Sequence, residues 1–472
     1  MRFQEYPWAE KGLYVFVDDD LVEGSFGVQR VFHPLEKEDA VLMEDDSPWE
    51  GFVEESGQST LHDPFQASIL YDNKNACFVC WYLANSVSAP YQVCCAISKD
   101  GFKWEKPPLG KVVFRCSDKN NIIRILNPSL TIQDFGGIVP NYLKDLDANL
   151  VCSVFSEFPD KLYFQGITFA SSLDGLDWNP RFPPGLPYDG DNNNLTWNPN
   201  EECYLLTTRS YQHANIYGRL GKKVKRHIAL GKSRDLLNWT PLITVLEPDE
   251  KDPPNMEFYG MYVIPYGHGY IGLLETFDVH PSLSRGPCEV QCVFSRDLLS
   301  WQRVGNRVPF IARGRKESWD SGMVSPAMNA PFPEGEKIRF WYGGKKGEHW
   351  QYSSAGLGTG TLRRDGFVSW ETKEEGYIVT CPLKINWATT IFLNIEAPKG
   401  AIEVEVLDAK TNKPLPGVTK DDCLPITGNH LRAPVEFKNE RGRFLRHTGE
   451  IKFKFYLKNA KIYAFKTTGV SF

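Results

Sequence analysis

Four carboxylates recur in similar settings along the chain: Asp63 in Leu61-His62-Asp63-Pro64, Asp191 in Asp189-Gly190-Asp191-Asn192-Asn193-Asn194, Glu257 in Asn255-Met256-Glu257-Phe258-Tyr259-Gly260, and Asp320 in Ser318-Trp319-Asp320-Ser321-Gly322-Met323. Each stands just before a short run of strand-forming residues. Carboxylates brought into one cleft have the chemistry to break a glycosidic bond. One protonates the leaving oxygen, and another attacks the anomeric carbon or activates a water. Crowding like charges also raises the pKa of one member, which suits it to the proton donor's part. Taken singly, each acid could equally cap a turn at a strand entrance. Four in register favour chemistry. Asp134 follows its strand-like run, Ser129-Leu130-Thr131-Ile132, instead of preceding it, so the second repeat offers no clear equivalent.

Softer candidates surround these acids. Trp197, Trp319, Tyr259 and Trp341 have ring faces on which a sugar can stack, or on which strands can pack. Arg209 closes Leu205-Leu206-Thr207-Thr208-Arg209 and can hold a hydroxyl or a carboxylate. His349, in Gly347-Glu348-His349-Trp350, either reaches a channel or lies in a surface loop. Cys77-Phe78-Val79-Cys80 has CxxC spacing, but on a strand residues three apart face opposite sides, which spoils it as a metal clip. No His or acid cluster has metal-ligand spacing, and neither a phosphate-cradling glycine loop nor a Gly-x-Ser-x-Gly elbow occurs. No metal and no cofactor is implied.

What must position these residues is a repeat. Ser98-Lys99-Asp100-Gly101-Phe102-Lys103-Trp104 returns as Ser172 to Trp178, Ser233 to Trp239 and Ser295 to Trp301, with a looser copy from Arg364 to Trp370. The tryptophans at 104, 178, 239, 301 and 370 are 74, 61, 62 and 69 residues apart, enough for four short strands each. Five such units predict an all-β fold, a five-bladed β-propeller. Asp-Gly marks a tight turn between the third and fourth strands, and the Trp packs between blades. The motif is therefore structural, and its use is as a ruler: counting back from each Trp to the start of its blade brings the four acids into register at the channel mouth.

Past Trp370 the period stops. From about residue 377, stretches such as Ala401 to Leu407 and Ile451 to Leu457 alternate apolar and polar side chains, which predicts a C-terminal β-sandwich. The expected division is 1–58, a segment that completes the last blade, then 59–376, the propeller with the catalytic site, then 377–472, the sandwich. Thr372 to Gly376 is the expected link, and the acidic run Asp18-Asp19-Asp20 reads as a solvated loop.

Bulk properties narrow the partners. With 53 Lys and Arg against 59 Asp and Glu, the net charge of −6 argues against nucleic acid or an anionic membrane surface, and leaves a small neutral ligand such as a sugar. No run of eighteen apolar residues is present. Most of the eleven cysteines sit in apolar strand-like runs. They read as buried free thiols in a reducing compartment, the cytoplasm, since the first residues lack a basic start followed by an apolar stretch. Oligomeric state is not legible.

The succession of blades, the His62-Asp63-Pro64 element before the first inner strand, and the sandwich resemble the five-bladed propeller glycoside hydrolases. These are the fructan hydrolases and the arabinanases or xylosidases, and the pattern is also similar to bacterial family 32-like glycosyl hydrolases. The resemblance implies a catalytic Asp at the start of blade one, a second Asp in a later blade and a general-acid Glu further on. Asp63, Asp191 and Glu257 match those three places. It implies a glycosidase, with a fructofuranoside or arabinofuranoside as candidate substrate, with Asp63 as nucleophile or base, Glu257 as general acid and Asp191 orienting the sugar. Substrate-binding parts fall to Asp320, Trp319, Arg209, Tyr259, Trp197 and His349. Three departures are plain: Arg-Asp-Pro is absent, His62 stands where Asn is usual, and the one Glu-Cys pair, Glu202-Cys203, follows an inner strand where the resemblance implies an acid Glu before a Cys ahead of one. A carbohydrate-binding propeller without turnover and a glycoside phosphorylase are the alternatives, the latter requiring Arg, Lys or His near the acids.

Overall fold

The computed structural model describes residues 3, 8–53, 56, 58–59, 61, 65–84, 91–126, 131–158, 164–187, 190–210, 225–280, 285–385, 389–438 and 449–468. Its regular structure is β throughout, interrupted only by four single-turn 3-10 segments among the described residues. Short β-branched and aromatic runs, broken by Asn, Gly, Asp and Pro, leave no amphipathic helical stretch.

Five antiparallel units follow one another. Unit one is Gln66–Asp72, Cys77–Ala84, Gln92–Ser98 and Trp104–Glu105. Unit two is Thr131–Pro140, Leu150–Phe158, Phe164–Ser172 and Asp177–Pro187, with Arg124–Ile125 added in parallel at its edge. Unit three is Asn193–Asn198, Cys203–Ser210, His227–Ser233 and Ile243–Leu246. Unit four is Met256–Tyr266, Gly269–Asp278 and Cys288–Ser295, with Gln302–Arg303 and Pro309–Ile311 both on its third strand. Unit five is Met323–Pro326, Lys337–Lys345 and Ala355–Arg363.

Successive units meet in a closed cycle, first strand against first strand except between units four and five, where the second and third strands of unit four meet the first of unit five. Ile138 N–H donates to Ser68 Oγ at 3.0 Å, joining units two and one. Thr196 Oγ1 donates to the Val263 carbonyl at 3.0 Å, joining three and four. Cys288 pairs with Met323 in parallel, joining four and five. Met328 N–H then donates to the Ala67 carbonyl at 2.7 Å, which returns five to one.

The repeated motif is the turn between third and fourth strands in units one to four. Asp100 Oδ1 accepts from the N–H groups of Phe102 and Lys103, both at 2.8 Å, and Ser98 Oγ accepts from Gly101 N–H at 2.9 Å. Asp174, Asp235 and Asp297 repeat the first of these bonds. The fourth template position is left-handed, with φ of +78° at Gly101, +73° at Gly175, +61° at Leu236 and +69° at Leu298. Glycine is free there and leucine is strained. Neighbouring units lock onto this turn: Trp81 Nε1 donates to the Gly175 carbonyl at 2.6 Å, and Trp341 Nε1 to the Gly101 carbonyl at 3.0 Å.

The fifth copy differs. Arg364 to Trp370 leads into Val368–Thr380, a strand of the C-terminal sheet and not an outer strand of unit five. The expected link, Thr372 to Gly376, lies inside that strand, where the register shifts between Thr372 and Glu375. The outer position of unit five is taken by residues from the start of the chain, Glu36–Lys37 and Met43–Glu44, both antiparallel to Ala355–Arg363. Earlier strands, Leu13–Val15, Val22–Phe26 and Gln29–Phe32, belong instead to the C-terminal sheet. Asp18 is not solvated: it is buried and accepts from His268 Nε2 at 2.9 Å and Arg296 Nε at 2.6 Å. Asp19 and Asp20 are exposed.

Five C-terminal strands and the three early ones form one hydrogen-bonded sheet of eight, built around the 19-residue strand Gly449–Thr467 and the 18-residue strand Ile391–Asp408. One apolar cluster runs from this sheet, through Ile402, Val404, Phe453 and Phe455, to Leu273, Val290 and Val324 of units four and five. Burial of that shared core is what ties the two parts together. All eleven cysteines are free thiols.

Candidate active site

The site is built where first strands begin. Unit two's first strand starts at Thr131, so Asp134 lies inside it, at a register shift between Ile132 and Asp134. The shift turns the carboxyl toward the neighbouring unit. Asn193, the first residue of unit three, donates to Asp134 Oδ2 through its backbone N–H at 3.1 Å and its Nδ2 at 3.3 Å. Asp134 is 3% exposed, and its Oδ1 has no hydrogen-bond partner among the described residues. Burial pushes this carboxyl up to about 6, against the opposing pull of the Asn193 and Asn192 N–H groups and the Arg209 charge.

Unit three contributes Asp191 and Arg209. Asp191 sits in the turn ahead of the first strand and pairs with Arg209, which closes the apolar second strand. The Asp191 side chain is half exposed while Arg209 is buried. Unit four contributes Glu257, a buried residue at the start of its first strand, paired with Arg226 Nη1. It also contributes Glu275 from its second strand, opposite Gly260. Glu275 is buried, accepts from Asn192 Nδ2 at 3.0 Å, and accepts from Ser325 Oγ of unit five.

Three rings form a wall between the two arginines. Tyr259 and Phe277 meet edge to face with centroids 5.5 Å apart, and His349 closes the triangle at 5.3 Å and 5.0 Å from them. His349 Nε2 and the Tyr259 hydroxyl are 3.1 Å apart. The Arg209 guanidinium lies 4.7 Å from the Tyr259 ring, and that of Arg226 5.5 Å from the Phe277 ring. Cations over aromatic faces are attracted by the ring quadrupole.

Not every residue expected from sequence joins this cluster. Asp63 lies outside the described residues; two positions earlier in the sequence, Leu61 offers its carbonyl to the fully buried Lys345 Nζ at 3.2 Å. Asp320 turns away from the acids, pairing with Lys37 and accepting from the Tyr342 hydroxyl at 3.1 Å and Ser318 Oγ at 2.8 Å. It fastens the start of the chain to unit five. Trp319 stacks on Tyr342 at 5.7 Å, over the second strand of that unit. Trp197 stands at the far end of the strand that Asn193 begins, stacked on Tyr142 at 4.6 Å. Trp341 donates to the Gly101 turn and packs on Phe78. Asp191, Glu257, Arg209, Tyr259 and His349 do come together.

Asp134, Glu275 and Arg226 are the residues that sequence reasoning missed. The signal for two of them was available: Asp134 and Glu275 are lone acids inside apolar runs, Phe135-Gly136-Gly137-Ile138 and Ile271-Gly272-Leu273-Leu274. A charge in such a run has to be paired or neutralised. Among the described residues no group of three His, Cys, Asp or Glu is arranged to hold a metal ion.

No protein-family model matches the chain, and no curated protein is similar to it. Among solved structures, one similar chain is an N-acetylgalactosamine deacetylase from F. plautii in complex with blood group B trisaccharide, at 14% identity over 70% of this chain and 96% of that one, TM-score 0.47. Another is a glycosyl hydrolase from Bacteroides ovatus, at 12% identity over 70% and 94%, TM-score 0.44. A third is an exo-β-1,3-galactanase from Phanerochaete chrysosporium with galactose, at 10% identity over 91% and 100%, TM-score 0.39. At such values the functional reading has to rest on the site itself.

Proposed function

We propose that this chain is a glycoside hydrolase, with its five units acting as the blades of a propeller, the C-terminal sheet as an attached sandwich, and the cleft at the mouth of the first strands as the place where a sugar is cut. The observation that carries the reading is the gathering of Asp134, Asp191, Glu257 and Glu275 from three successive units beside two arginines and a wall of rings. Carboxyl groups of differing environment side by side are what acid and base roles in glycosidic cleavage require.

In this reading Asp63 attacks the anomeric carbon or activates water, and Glu257 gives a proton to the leaving oxygen. Asp191 and Arg209 orient the sugar, and Tyr259 with His349 bounds it. Arg226 on Glu257 must yield part of its contact to the substrate for Glu257 to act. Burial pushes the Asp134 carboxyl up to about 6, so it changes charge just below neutral pH.

A second reading is phosphorolysis, favoured by Arg209, Arg226 and His349 standing around Tyr259 and Phe277. Phosphate would then take the place of the attacking carboxylate or water, its oxygen bonding to the anomeric carbon as the glycosidic C–O bond breaks and the leaving oxygen gains the acid's proton.

The test is a screen of nitrophenyl furanosides and pyranosides and of natural oligosaccharides, each with and without inorganic phosphate. Hydrolysis independent of phosphate, abolished by Asp63→Asn and by Glu257→Gln in folded protein, supports the first reading. Product formed only with phosphate supports the second. Sugars bound but never cleaved by the wild type would leave a carbohydrate-binding propeller.

A further inference from the structure

Asp134 is held by a turn that two other units hold in place. Asn192 and Asn193 are consecutive, and their side chains work in opposite directions. Asn193 gives its backbone N–H and Nδ2 to Asp134 Oδ2. Asn192 gives its Nδ2 to Glu275 Oε2 at 3.0 Å, and the other Glu275 oxygen accepts from Ser325 Oγ. All five residues are buried. The backbone of Asn192 is left-handed, with φ of +55°, a conformation that Asn adopts more readily than other non-glycine residues and that points its side chain away from that of Asn193.

Close packing is visible on the other side of the turn. A Cβ added at Gly260 would lie 2.4 Å from Asn192 Oδ1, so the bare glycine backbone is what admits the Asn192 amide. The Asn192 side chain is thereby confined between Gly260 and Glu275. Gly136 does the same beneath Asn193: a Cβ there would be 2.5 Å from Asn193 Oδ1. The string of contacts runs from unit five through four and three to two. Among the described residues the charge acting on Asp134 is that of Arg209, and the N–H groups of Asn192, Asn193 and Phe135 act on it as well.

We propose that Ser325, Glu275, Asn192 and Asn193 form a positioning relay across the channel mouth, in which Glu275 is a positioning residue that fixes the Asn192-Asn193 turn and, through it, the Asp134 carboxyl in the cleavage reaction. The catalytic half of this statement rests on the glycosidase reading; the coupling of Glu275 to Asp134 does not. Glu275 touches neither Asp134 nor any reacting atom in this scheme. It acts by keeping two amide donors aimed at one carboxylate oxygen. Replacing one Glu275 oxygen by an NH2 group leaves a single neutral acceptor where a carboxylate held both Asn192 Nδ2 and Ser325 Oγ; the Ser325 hydroxyl turns to accept from the NH2, while the charge-assisted bond that holds the Asn192 amide is weakened and the turn is held less firmly.

The experiment is a double-mutant cycle on the full chain, with Glu275→Gln, Asp134→Asn and their combination unfolded in urea at several values between about pH 4 and about pH 7.5. The quantity read is the pH-dependent part of stability that residue 134 carries, taken as the difference between each Asp and Asn pair. The relay predicts that its midpoint moves by about half a pH unit or more when Glu275 is replaced. An unmoved midpoint overturns it. Ser325→Ala, which removes one hydroxyl, gives the same cycle with a smaller packing change should Glu275→Gln fail to fold. On a cleaved glycoside, Glu275→Gln is expected to lower kcat by about tenfold to a hundredfold with KM little altered and the pH profile shifted. Turnover with an unshifted profile overturns the catalytic half. A moved midpoint in a protein that cleaves no glycoside leaves the relay standing and removes the glycosidase reading.

Discussion

Replacing Asp134 by Asn should stabilise the protein at neutral pH. The wild-type carboxyl is buried, and its value is pushed from the usual 3.8 up to about 6. Because the folded value is raised, the folded state binds more protons than the unfolded chain between those two values. Stability therefore falls as pH rises through this window, and above about pH 6 the folded protein carries the full cost of a buried charge. At about 1.4 kcal/mol per pH unit, the interval corresponds to roughly 3 kcal/mol. Asn keeps the size and an oxygen for the Asn193 donors but cannot ionise. Urea unfolding of both proteins should show the Asp134→Asn variant more stable by up to about 3 kcal/mol at pH 7.5, with the gap closing toward about pH 4. Such a gain at the expense of activity is typical of functional carboxylates held in unfavourable surroundings. A variant that is less stable than the wild type at pH 7.5, or a gap that does not change with pH, would refute the reasoning.

Other outcomes follow from single contacts. Gly260→Ala should lose turnover and about 1–3 kcal/mol of stability, measured by urea unfolding, because its methyl would meet the Asn192 amide. Asp320→Asn should lower the melting temperature while leaving kcat/KM of the folded protein unchanged, since Asp320 serves Lys37 and Tyr342; the loss is about 3 kcal/mol or less because Lys37 is partly exposed. In a thiol titration of the native protein, Cys116 should react first, Cys77 and Cys381 slowly, and the other eight only after unfolding. Burial pushes Cys95 up to about 12 and Cys423 up to about 11, which slows them further.

The repeat was legible because its chemistry is local. A Ser and an Asp that bind the N–H groups two or three residues ahead make the same turn wherever they occur, and the left-handed fourth position explains the recurring glycine. The same locality misled at the fifth copy. There Asp365, not Gly366, is left-handed, and its carboxylate takes the Tyr266 hydroxyl and Arg432 in place of turn N–H groups. The origin of unit five's outer strand is only half visible: the sequence assigns all of 1–58 to the last blade, of which Glu36–Lys37 and Met43–Glu44 do pair with it, while the strands before them pair with a sheet at the other end of the chain. Nothing within a few residues encodes such a partner.

The candidate site divides along the same line. Asp191, Glu257, Arg209 and Tyr259 stand near strand ends, where a count along the chain finds them. Asp320 satisfies the count as well, yet the loop before its strand turns the carboxylate to Lys37, a choice made by a residue 283 positions away. Asp134 and Glu275 are set by a register shift and by a second strand, and their partners Asn193, Asn192 and Ser325 come from other units. Burial and hydrogen bonding across units decide such positions, and neither is carried by spacing.

The most direct test of the central claim is a crystal structure of the Glu257→Gln protein soaked with an oligosaccharide that the wild type cleaves. The account predicts an intact sugar at the mouth, its glycosidic oxygen within about 2.6–3.2 Å of the residue 257 side chain and its anomeric carbon facing Asp63. A sugar seated elsewhere, as on the C-terminal sheet beside Glu371 and Lys461, with the mouth empty, would contradict it.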